Sequence, residues 1–437
     1  MRHAGAHPGG RFTLKPRAVK RLPLAVVVLL VGVTLLASAL RWRARRAHVA
    51  APAAFGGPGA SSPHALIHGL GAGAPPAGVA GSSGPAMLHG DGRHTHRASG
   101  RAPVSTPAVA WSHDVGGPVE AQVTLSPDEQ TLYVASLGGS LTALARADGA
   151  ERWSVALGDR AYATPCVGRD GTIYAGSDAK KLVALAPDGK TKWSFDTDGD
   201  ADTGPVLSTD GSVVFAAGRT VYALSPSGLV RWRFAAKRKV FTSPAVAADG
   251  RVFFGSQDHH AYALSAQGVL AWSTDLGADV DGAPVLADDG AVFVGTDLDE
   301  LVRLDADTGS VAWRVKLGGY VRGALSVARN GDVLAGVYGP TPRQVRVRGA
   351  DGAVVGEFAV QGTGAREFGV HGGALEDDGG TLLFGAQDDV VYAVAAGGEL
   401  LWRFVTGGDV DAPLTLLADG TVVVGSDDGK VYLLRGM

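Results

Sequence analysis

The residues best suited to binding chemistry lie at fixed distances after a series of tryptophans. These are Trp111, Trp153, Trp193, Trp232, Trp272, Trp313 and Trp402. Seven and nine residues after each tryptophan lie two mostly polar residues, with Val or Ala between them. This alternation places both polar side chains on one face of an extended segment. The candidate binding residues are Arg160, Tyr162, Asp200, Asp202, Lys239, Asp279, Asp281, Tyr320, Arg322, Asp409 and Asp411.

These acidic, basic and aromatic side chains would converge if the segments that carry them surround a common axis. Such a mixed set suits a polar ligand or a peptide. Its carboxylates could also hold Ca²⁺, which takes about six to eight oxygen ligands. The alternative is a solvated rim of loops in which the Asp side chains bond the backbone of turns. The sequence leaves both interpretations open.

Other signatures of catalysis or metal binding are missing. The sequence contains no nucleophile elbow, Walker loop or zinc-ligand spacing. Residues 196–202 superficially resemble the start of a calcium loop. The stretch lacks the glycine at position six and the glutamate at position twelve of an EF-hand. A further set of aspartates is interpreted as turn residues: Asp178, Asp258, Asp297, Asp388 and Asp427. We therefore predict no catalytic residue and no metal ligand.

The elements that must position the candidate residues are short β-strands in a repeat. The first six tryptophans are 39 to 42 residues apart, and the last gap of 89 residues holds two copies. Asp-Gly and similar pairs separate runs rich in Val, Phe, Leu and Ala, which is a hairpin pattern. A unit of four short antiparallel strands and about 40 residues is typical of a propeller blade.

Ring closure is predicted from the two ends of the repeat region. The eighth copy stops after its third strand, whereas residues 107–114, around Trp111, form a fourth strand without a blade. We predict that this strand pairs with residues 421–434 of the last blade, which removes an open sheet edge. The sixth and seventh copies are predicted to be irregular, because Glu357 stands where a tryptophan is expected.

The repeats resemble those of the pyrroloquinoline-quinone-like repeat family. The resemblance rests on Ala-Leu-x-x-x-x-Gly-x-x-x-Trp stretches ending at Trp193, Trp232 and Trp272, and it covers residues 104–437. It implies a propeller in which each tryptophan docks between adjacent blades. One branch of the family contains quinone- and calcium-dependent dehydrogenases. Another contains non-enzymatic propellers, notably the outer-membrane β-barrel assembly lipoprotein.

Two departures from the dehydrogenase branch favour the non-enzymatic one. Alcohol-oxidising members typically carry an adjacent cysteine pair over the quinone, whereas Cys166 is the only cysteine of this chain. The blades are also of minimal length, which leaves short loops for enclosing a cofactor. We therefore expect no cofactor, with quinone and Ca²⁺ expected only if the protein is a dehydrogenase.

The N-terminal region is predicted to contain a membrane anchor and a linker. Residues 1–21 are basic, and residues 22–40 form a run without a charge that is long enough to cross a bilayer. The run is either an uncleaved anchor or a cleaved signal peptide. Residues 41–103 are rich in Gly, Ala and Pro and are predicted to be a flexible linker. Its histidines are interpreted as solvated: His48, His64, His68, His89, His94 and His96.

The fold class expected is therefore an all-β, eight-bladed β-propeller that its N-terminal strand closes, preceded by a transmembrane helix and a disordered linker. The net charge of −3 and the absence from the repeats of a basic patch interleaved with aromatic residues argue against nucleic acid. We expect a monomeric, membrane-tethered scaffold outside the cytoplasm that binds a protein partner at the cell envelope. A cleaved signal would make it secreted. The alternatives are a quinone-dependent dehydrogenase and a ligand-sensing or adhesion propeller.

Overall fold

The computed structural model describes residues 86–365 and 368–436. The predicted basic segment, the predicted anchor at residues 22–40 and the first part of the predicted linker lie outside the described residues. In the described part of the chain, no helix combines the length and hydropathy needed to cross a membrane.

The described strands form eight four-stranded antiparallel sheets, which confirms the all-β, eight-bladed propeller. Blades 1 to 4 contain β2 to β17: Thr124–Leu125, Thr131–Ser136, Ser140–Ala145, Glu151–Ala156; Cys166–Val167, Ile173–Ser177, Lys181–Leu185, Thr191–Asp196; Val206–Leu207, Val213–Ala217, Thr220–Leu224, Val230–Ala235; Ala245–Val246, Val252–Gly255, His260–Leu264, Leu270–Asp275. Blades 5 to 7 contain β18 to β29: Val285–Leu286, Ala291–Gly295, Glu300–Asp305, Val311–Lys316; Ser326–Val327, Val333–Val337, Arg343–Val347, Val354–Ala359; Leu375–Glu376, Leu382–Ala386, Val390–Val394, Leu400–Val405. Blade 8 contains β30 to β32 and β1: Thr415–Leu416, Val422–Gly425, Lys430–Arg435, Ala108–Asp114.

Burial within a blade follows the position of the strand. The second strand of most blades is buried at every residue, as in Val213–Ala217, because neighbouring blades cover both of its faces. The outer strand alternates between exposed and half-buried residues, as in Val230–Ala235. This explains why the sequence shows continuous apolar runs followed by alternating ones.

The predicted ring closure is confirmed. Strand β1 pairs antiparallel with β32, from Ala108 opposite Arg435 to Asp114 opposite Lys430. The outer strand of blade 8 therefore comes from the N-terminal side of the repeats. The Trp111 indole donates a hydrogen bond to the Arg146 carbonyl of blade 1. This contact links the closing strand to the next blade.

Tryptophans seal seven of the eight junctions between blades. At six junctions, which run from the one between blades 8 and 1 to the one between blades 5 and 6, the ring lies over a positive-φ glycine in the following blade. Trp193 lies over Gly228 in this way. The Trp193 indole also donates to the Pro226 carbonyl at 2.9 Å. At the junction of blades 7 and 8, Trp402 donates instead to Pro103, because β1 is not continuous with β32.

The residue at the missing tryptophan position is Gly356, and the expectation that it would be Glu357 is wrong. Each tryptophan lies opposite the third-strand residue that precedes a register shift, such as Ala223 opposite Trp232. In blade 6 the residue before the shift is Arg346, and it lies opposite Gly356. Because this repeat has no tryptophan, the sequence could be aligned with either Gly356 or Glu357 at that position, and it did not distinguish the two.

Residues 86–98, here called the axial segment, lie along the inner strands of the propeller, so the prediction of a flexible linker is wrong for the last part of residues 41–103. The segment contains a 3₁₀ turn, Leu88–Gly90. Its carbonyls accept hydrogen bonds from the inner-strand amides of Val167, Val246, Leu286, Val327 and Glu376, in five different blades. The physical reason is that inner strands present unpaired backbone groups, which this segment satisfies despite its low apolar content.

Candidate functional site

The candidate binding residues lie on the connections from the outer strand of one blade to the inner strand of the next. The apolar residue between each polar pair is buried, and in four of the six candidate connections it packs over a glycine of the second strand. A Cβ atom on Gly255 would lie 2.3 Å from Cγ1 of Val280, and one on Gly385 would lie 2.2 Å from Cγ1 of Val410. Buried central residues thus fix the two flanking polar side chains toward a common rim.

The first sector of this rim carries mixed charges. Oxygens of Asp178, Asp200 and Asp202 lie within 4.8 Å of one another. Lys239 Nζ lies 2.8 Å from Asp202 and 3.6 Å from Asp200, and Arg160 lies 2.7 Å from Asp178. Burial, followed by a hydrogen bond and repulsion from Asp202, raises the pKa of Asp178 to about 7. Two basic side chains thus bridge the three carboxylates.

The second sector joins the turn of blade 5 to the connection that enters this blade. Oxygens of Asp279, Asp281 and Asp297 also lie within 4.8 Å of one another. Arg322 makes two 2.6 Å hydrogen bonds to Asp297, which is the strong bidentate geometry. Burial, and then the charge of Asp297, raises the pKa of Asp281 to about 6.

Both predicted tyrosines lie next to the arginines of these sectors. The guanidinium carbon of Arg160 lies 5.5 Å from the centre of the Tyr162 ring, and that of Arg322 lies 4.1 Å from the centre of Tyr320. These are cation–π distances. The aromatic rings therefore hold the arginines beside the carboxylates.

The third sector is acidic throughout. It joins Asp409, Asp411 and Asp427, whose oxygens lie within 4.8 Å of one another. Among the described residues, no basic side chain forms an ion pair with these three or with Glu120. Burial and then like charge raise the pKa of Glu120 to about 8, and those of Asp409 and Asp427 to about 7. The structure therefore clusters carboxyl groups here that have no ion-pair partner among the described residues.

The rim residues are less exposed than an open loop rim would make them. Asp411 is only 7% exposed, and one of its oxygens has no hydrogen-bond partner in the described structure. Its other oxygen accepts a bond from Gln387 at 3.1 Å. Asp411 therefore does not lie on a solvated rim, because the connection turns it inward beside the buried Val410.

Three aspartates of the rim were not predicted as binding residues. Asp178, Asp297 and Asp427 were interpreted as turn residues, but each completes a carboxylate triad. The turn interpretation fits Asp258 instead, which accepts from the Lys237 and His260 amides and from the Tyr262 hydroxyl. Asp258 lies one residue further along its turn than the three triad aspartates do in theirs, and the sequence alone did not resolve this difference.

The rim position in blade 7 was also missed. Val370 packs over Gly336, as Val280 packs over Gly255, so the polar position beside it is His371. His371 Nδ1 lies 2.5 Å from the Tyr338 hydroxyl. No tryptophan precedes this connection, so counting from the tryptophans could not find it. The apolar Val370 directly before the polar His371 was the available signal.

The axial segment places three buried histidines among the inner strands, so their interpretation as solvated residues is wrong. His89 and His96 stack with ring centres 4.0 Å apart, and His89 bonds the Gly372 carbonyl while His96 bonds that of Leu414. His94 bonds the Pro284 carbonyl. Burial is the main cause that lowers the pKa of each, to about 4 for His96. The three rings are therefore neutral near pH 7.

The chemical capacity of the rim is electrostatic recognition. The clustered carboxylates can accept hydrogen bonds from basic or amide groups, and closely spaced oxygens are also the ligands that Ca²⁺ prefers. The buried Cys166 has its pKa raised to about 12 by burial, so it remains a thiol.

The profile of one protein family matches much of the repeat region. That family is described as outer membrane protein assembly factor BamB, and it matches residues 104–228, 179–278 and 265–356. A curated relative, the outer membrane protein assembly factor BamB of Salmonella typhimurium, is 34% identical over 116 residues. This match spans 24% of the chain and only 30% of the length of that relative.

Solved structures from both functional branches share the fold. BamB from Moraxella catarrhalis matches with a TM-score of 0.62 and 18% identity, over 75% of this chain and 99% of that one. A europium-containing methanol dehydrogenase matches with a TM-score of 0.69 and 12% identity, over 81% of this chain and 98% of that one. At such low identities, these likenesses establish the fold alone.

Proposed function

This chain belongs to the family described as outer membrane protein assembly factor BamB, and we propose that its propeller is a non-enzymatic scaffold for assembly at the cell envelope. It binds a protein partner through the rim of connections between blades. The partner presents basic or hydrogen-bond-donating groups to the acidic sectors. The family match covers residues 104–356, and the curated match spans only 30% of the length of that relative, so the partner and the process are part of the proposal.

The observation that carries the proposal is the filling of the propeller axis by the axial segment. His89, His94 and His96 are each at most 3% exposed and bond backbone carbonyls of three blades. Gln122 Oε1 accepts from the His89 amide at 2.7 Å, which ties the segment to blade 1 as well. Recognition is thereby left to the rim, where Asp409, Asp411 and Asp427 lack basic partners among the described residues.

The location follows from the same proposal. An assembly scaffold for outer membrane proteins works outside the cytoplasm, in the periplasm or at the cell surface. The apolar run of residues 22–40 would then be either the membrane anchor or the signal that exports the propeller. We propose that the propeller is a monomer held near the membrane by this N-terminal region.

The test is partner capture from detergent-solubilised envelopes with tagged full-length protein. Asp279→Asn and Asp409→Asn remove rim charge at half-buried positions while keeping side-chain size. We expect the double variant to lose most of the captured partner. Asp196→Asn is the matched control, because the Asp196 side chain is 86% exposed on an outer strand. Equal capture by the wild type, the double variant and the Asp196→Asn control, with unchanged thermal stability, would contradict the proposal.

A quinone- and calcium-dependent dehydrogenase is the second candidate, and the carboxylate triads are the observation that favours it. A triad fits Ca²⁺ by its donor chemistry. The residues at the axis do not fit a quinone, because the stacked His89 and His96 rings occupy it. Quinone-dependent reduction of a dye by protein incubated with quinone and Ca²⁺, abolished by Asp409→Asn, would favour the enzyme over the scaffold.

A further inference from the structure

The junction between blades 6 and 7 lacks the indole ring that fills the other junctions. Gly356 stands at the tryptophan position, and Gly398, the glycine on which that ring would lie, would place a Cβ atom in open space. At Gly228, by contrast, a Cβ atom would lie 2.8 Å from the Trp193 ring. The absence leaves a groove of about 310 Å³ on the side of the propeller.

The groove is large enough for an aromatic side chain. Engineered cavities of about 150 Å³ bind benzene, so twice that volume accommodates the bicyclic indole. Its walls include the apolar side chains of Phe358, Leu382, Phe384 and Val394. By the spacing of the other junctions, the Ala396 carbonyl stands two residues before Gly398, where an indole N–H donates elsewhere in the ring.

Two polar substitutions face the same groove. Gln344 occupies the third-strand position held by Leu141, Leu182 or Leu301 in other blades. It is 3% exposed, and neither atom of its side-chain amide has a hydrogen-bond partner among the described residues. A buried amide without hydrogen-bond partners destabilises the fold. Its retention in an otherwise apolar register points to a ligand that completes its bonds.

Arg346 supplies the second polar group. It replaces the alanine found opposite the tryptophan in five other blades, and its Nη2 lies 3.4 Å from Glu376. Its Nε atom has no hydrogen-bond partner in the described structure. A guanidinium beside an aromatic slot can stack on the ring that enters it.

We propose that this groove, lined by Gly356, Gln344, Arg346, Phe384 and Gly398, docks a tryptophan side chain presented by an extended segment of a protein partner. The occupant is inferred from the molecule itself, because the equivalent groove at seven junctions holds an indole. The ring would lie on Gly398 and donate to the Ala396 carbonyl, while Gln344 bonds the partner's backbone. Tryptophan is also one of the residue types enriched among the contacts that dominate interface energies.

The occupant is assigned to a partner because the tryptophans of the repeats are already seated. The remaining tryptophan of the sequence, Trp42, follows the apolar run of residues 22–40 and lies outside the described residues. The inference deepens the proposed function by naming a second surface for a protein partner. It can fail alone, since its test uses a small probe and needs neither the partner nor the acidic rim.

The probe is N-acetyl-tryptophanamide, and its binding to the full-length protein is measured by ligand-observed NMR. We expect saturable binding that is at least tenfold tighter than that of N-acetyl-leucinamide. Gly356→Trp restores the repeat's own ring, and the Cβ atom it adds would lie 3.6 Å from Arg346, an ordinary contact. We expect this variant to be at least as heat-stable as the wild type and to bind the probe at least tenfold more weakly.

Gln344→Leu is the second variant, and it installs the residue that three other blades already use. We expect it to fold and to weaken probe binding severalfold, because the probe's amides lose their partner. The proposal is overturned if the wild type shows no saturable binding, or if Gly356→Trp binds the probe as well as the wild type does. Tighter probe binding after Trp42→Ala would also overturn it, since the chain's own Trp42 would then be the occupant.

Discussion

At the scale of single residues, the buried histidines couple the fold to pH. Burial lowers the pKa of His96 to about 4, against about 6.5 in an unfolded chain. The unfolded state therefore binds this proton more tightly. The contribution of His96 to stability is complete above pH 6.5 and is lost as the pH falls toward 4.

We predict that thermal stability at pH 5 depends on His96. Its protonation should cost the wild type about 1.4 kcal/mol per pH unit between pH 6.5 and 4. His96→Gln keeps a donor for the Leu414 carbonyl but cannot be protonated. Melting temperatures from pH 7.5 to pH 4.5 should therefore fall less steeply for the variant. Parallel profiles of the two proteins would contradict the predicted role of His96.

The carboxylates of the third sector have the opposite dependence. The pKa of Asp427 is raised to about 7 by burial and by Asp411 and Asp409, so the folded state holds its proton more tightly than the unfolded state does. The site therefore loses stability as the pH rises from about 4 to 7. Water at this half-buried site screens part of the effect.

We predict that Asp427→Asn raises the melting temperature at pH 8 by a few degrees and changes it little at pH 4. The substitution removes a repelled charge and keeps the side-chain volume. Asp258→Asn is the matched control, since Asp258 accepts bonds from the Lys237 amide and the Tyr262 hydroxyl. That control should lower the melting temperature. A lower melting temperature for both variants at pH 8 would show that Asp427 has a partner that stabilises it.

At the scale of elements, the blades could be predicted because each repeats the same local pattern. Alternating and continuous apolar runs, Asp-Gly turns and tryptophan spacing gave the strands and the closure by β1. The contacts between a turn and a connection that are far apart in sequence could not be predicted from these local patterns. Asp427 meets Asp409 and Asp411 only because the second-to-third-strand turn of a blade packs on the connection that enters the same blade. The axial segment has no periodicity, so its burial was not predictable.

The junction of blades 6 and 7 should be the weakest element of the ring. A buried tryptophan removes about 150–250 Å² from water, and this contribution is missing where Gly356 stands. We predict faster amide hydrogen exchange in strands Val354–Ala359 and Leu400–Val405 than in Val230–Ala235 and Leu270–Asp275. Exchange read by mass spectrometry on peptides covering these strands is the measurement. Uniform protection around the ring would contradict it.

At the scale of the whole molecule, stability depends on two closures that use the same stretch of chain. The axial segment joins the inner strands of five blades through its backbone carbonyls. A few residues later, Pro103 accepts the Trp402 indole, and β1 completes blade 8. Residues 86–114 therefore connect the axis with the perimeter. A ring closed in this way has a rigid rim whose sectors keep fixed relative positions.

We predict that removal of strand β32, by ending the chain after Gly429, abolishes the cooperative thermal transition. In blade 8, β1 pairs only with β32, so the truncation leaves β1 without a partner and opens the ring between blades 7 and 1. It also removes the fully buried Val431, Leu433 and Leu434. At about 1.5–3 kcal/mol for each buried side chain, the loss approaches the total stability of a typical protein, about 5–15 kcal/mol. Calorimetry of the full-length protein and of a chain ended after Arg435 should show the same melting temperature, whereas the longer truncation should show no transition. A truncated chain that melts within about 2 °C of the wild type would mean that the axial segment alone holds the ring closed.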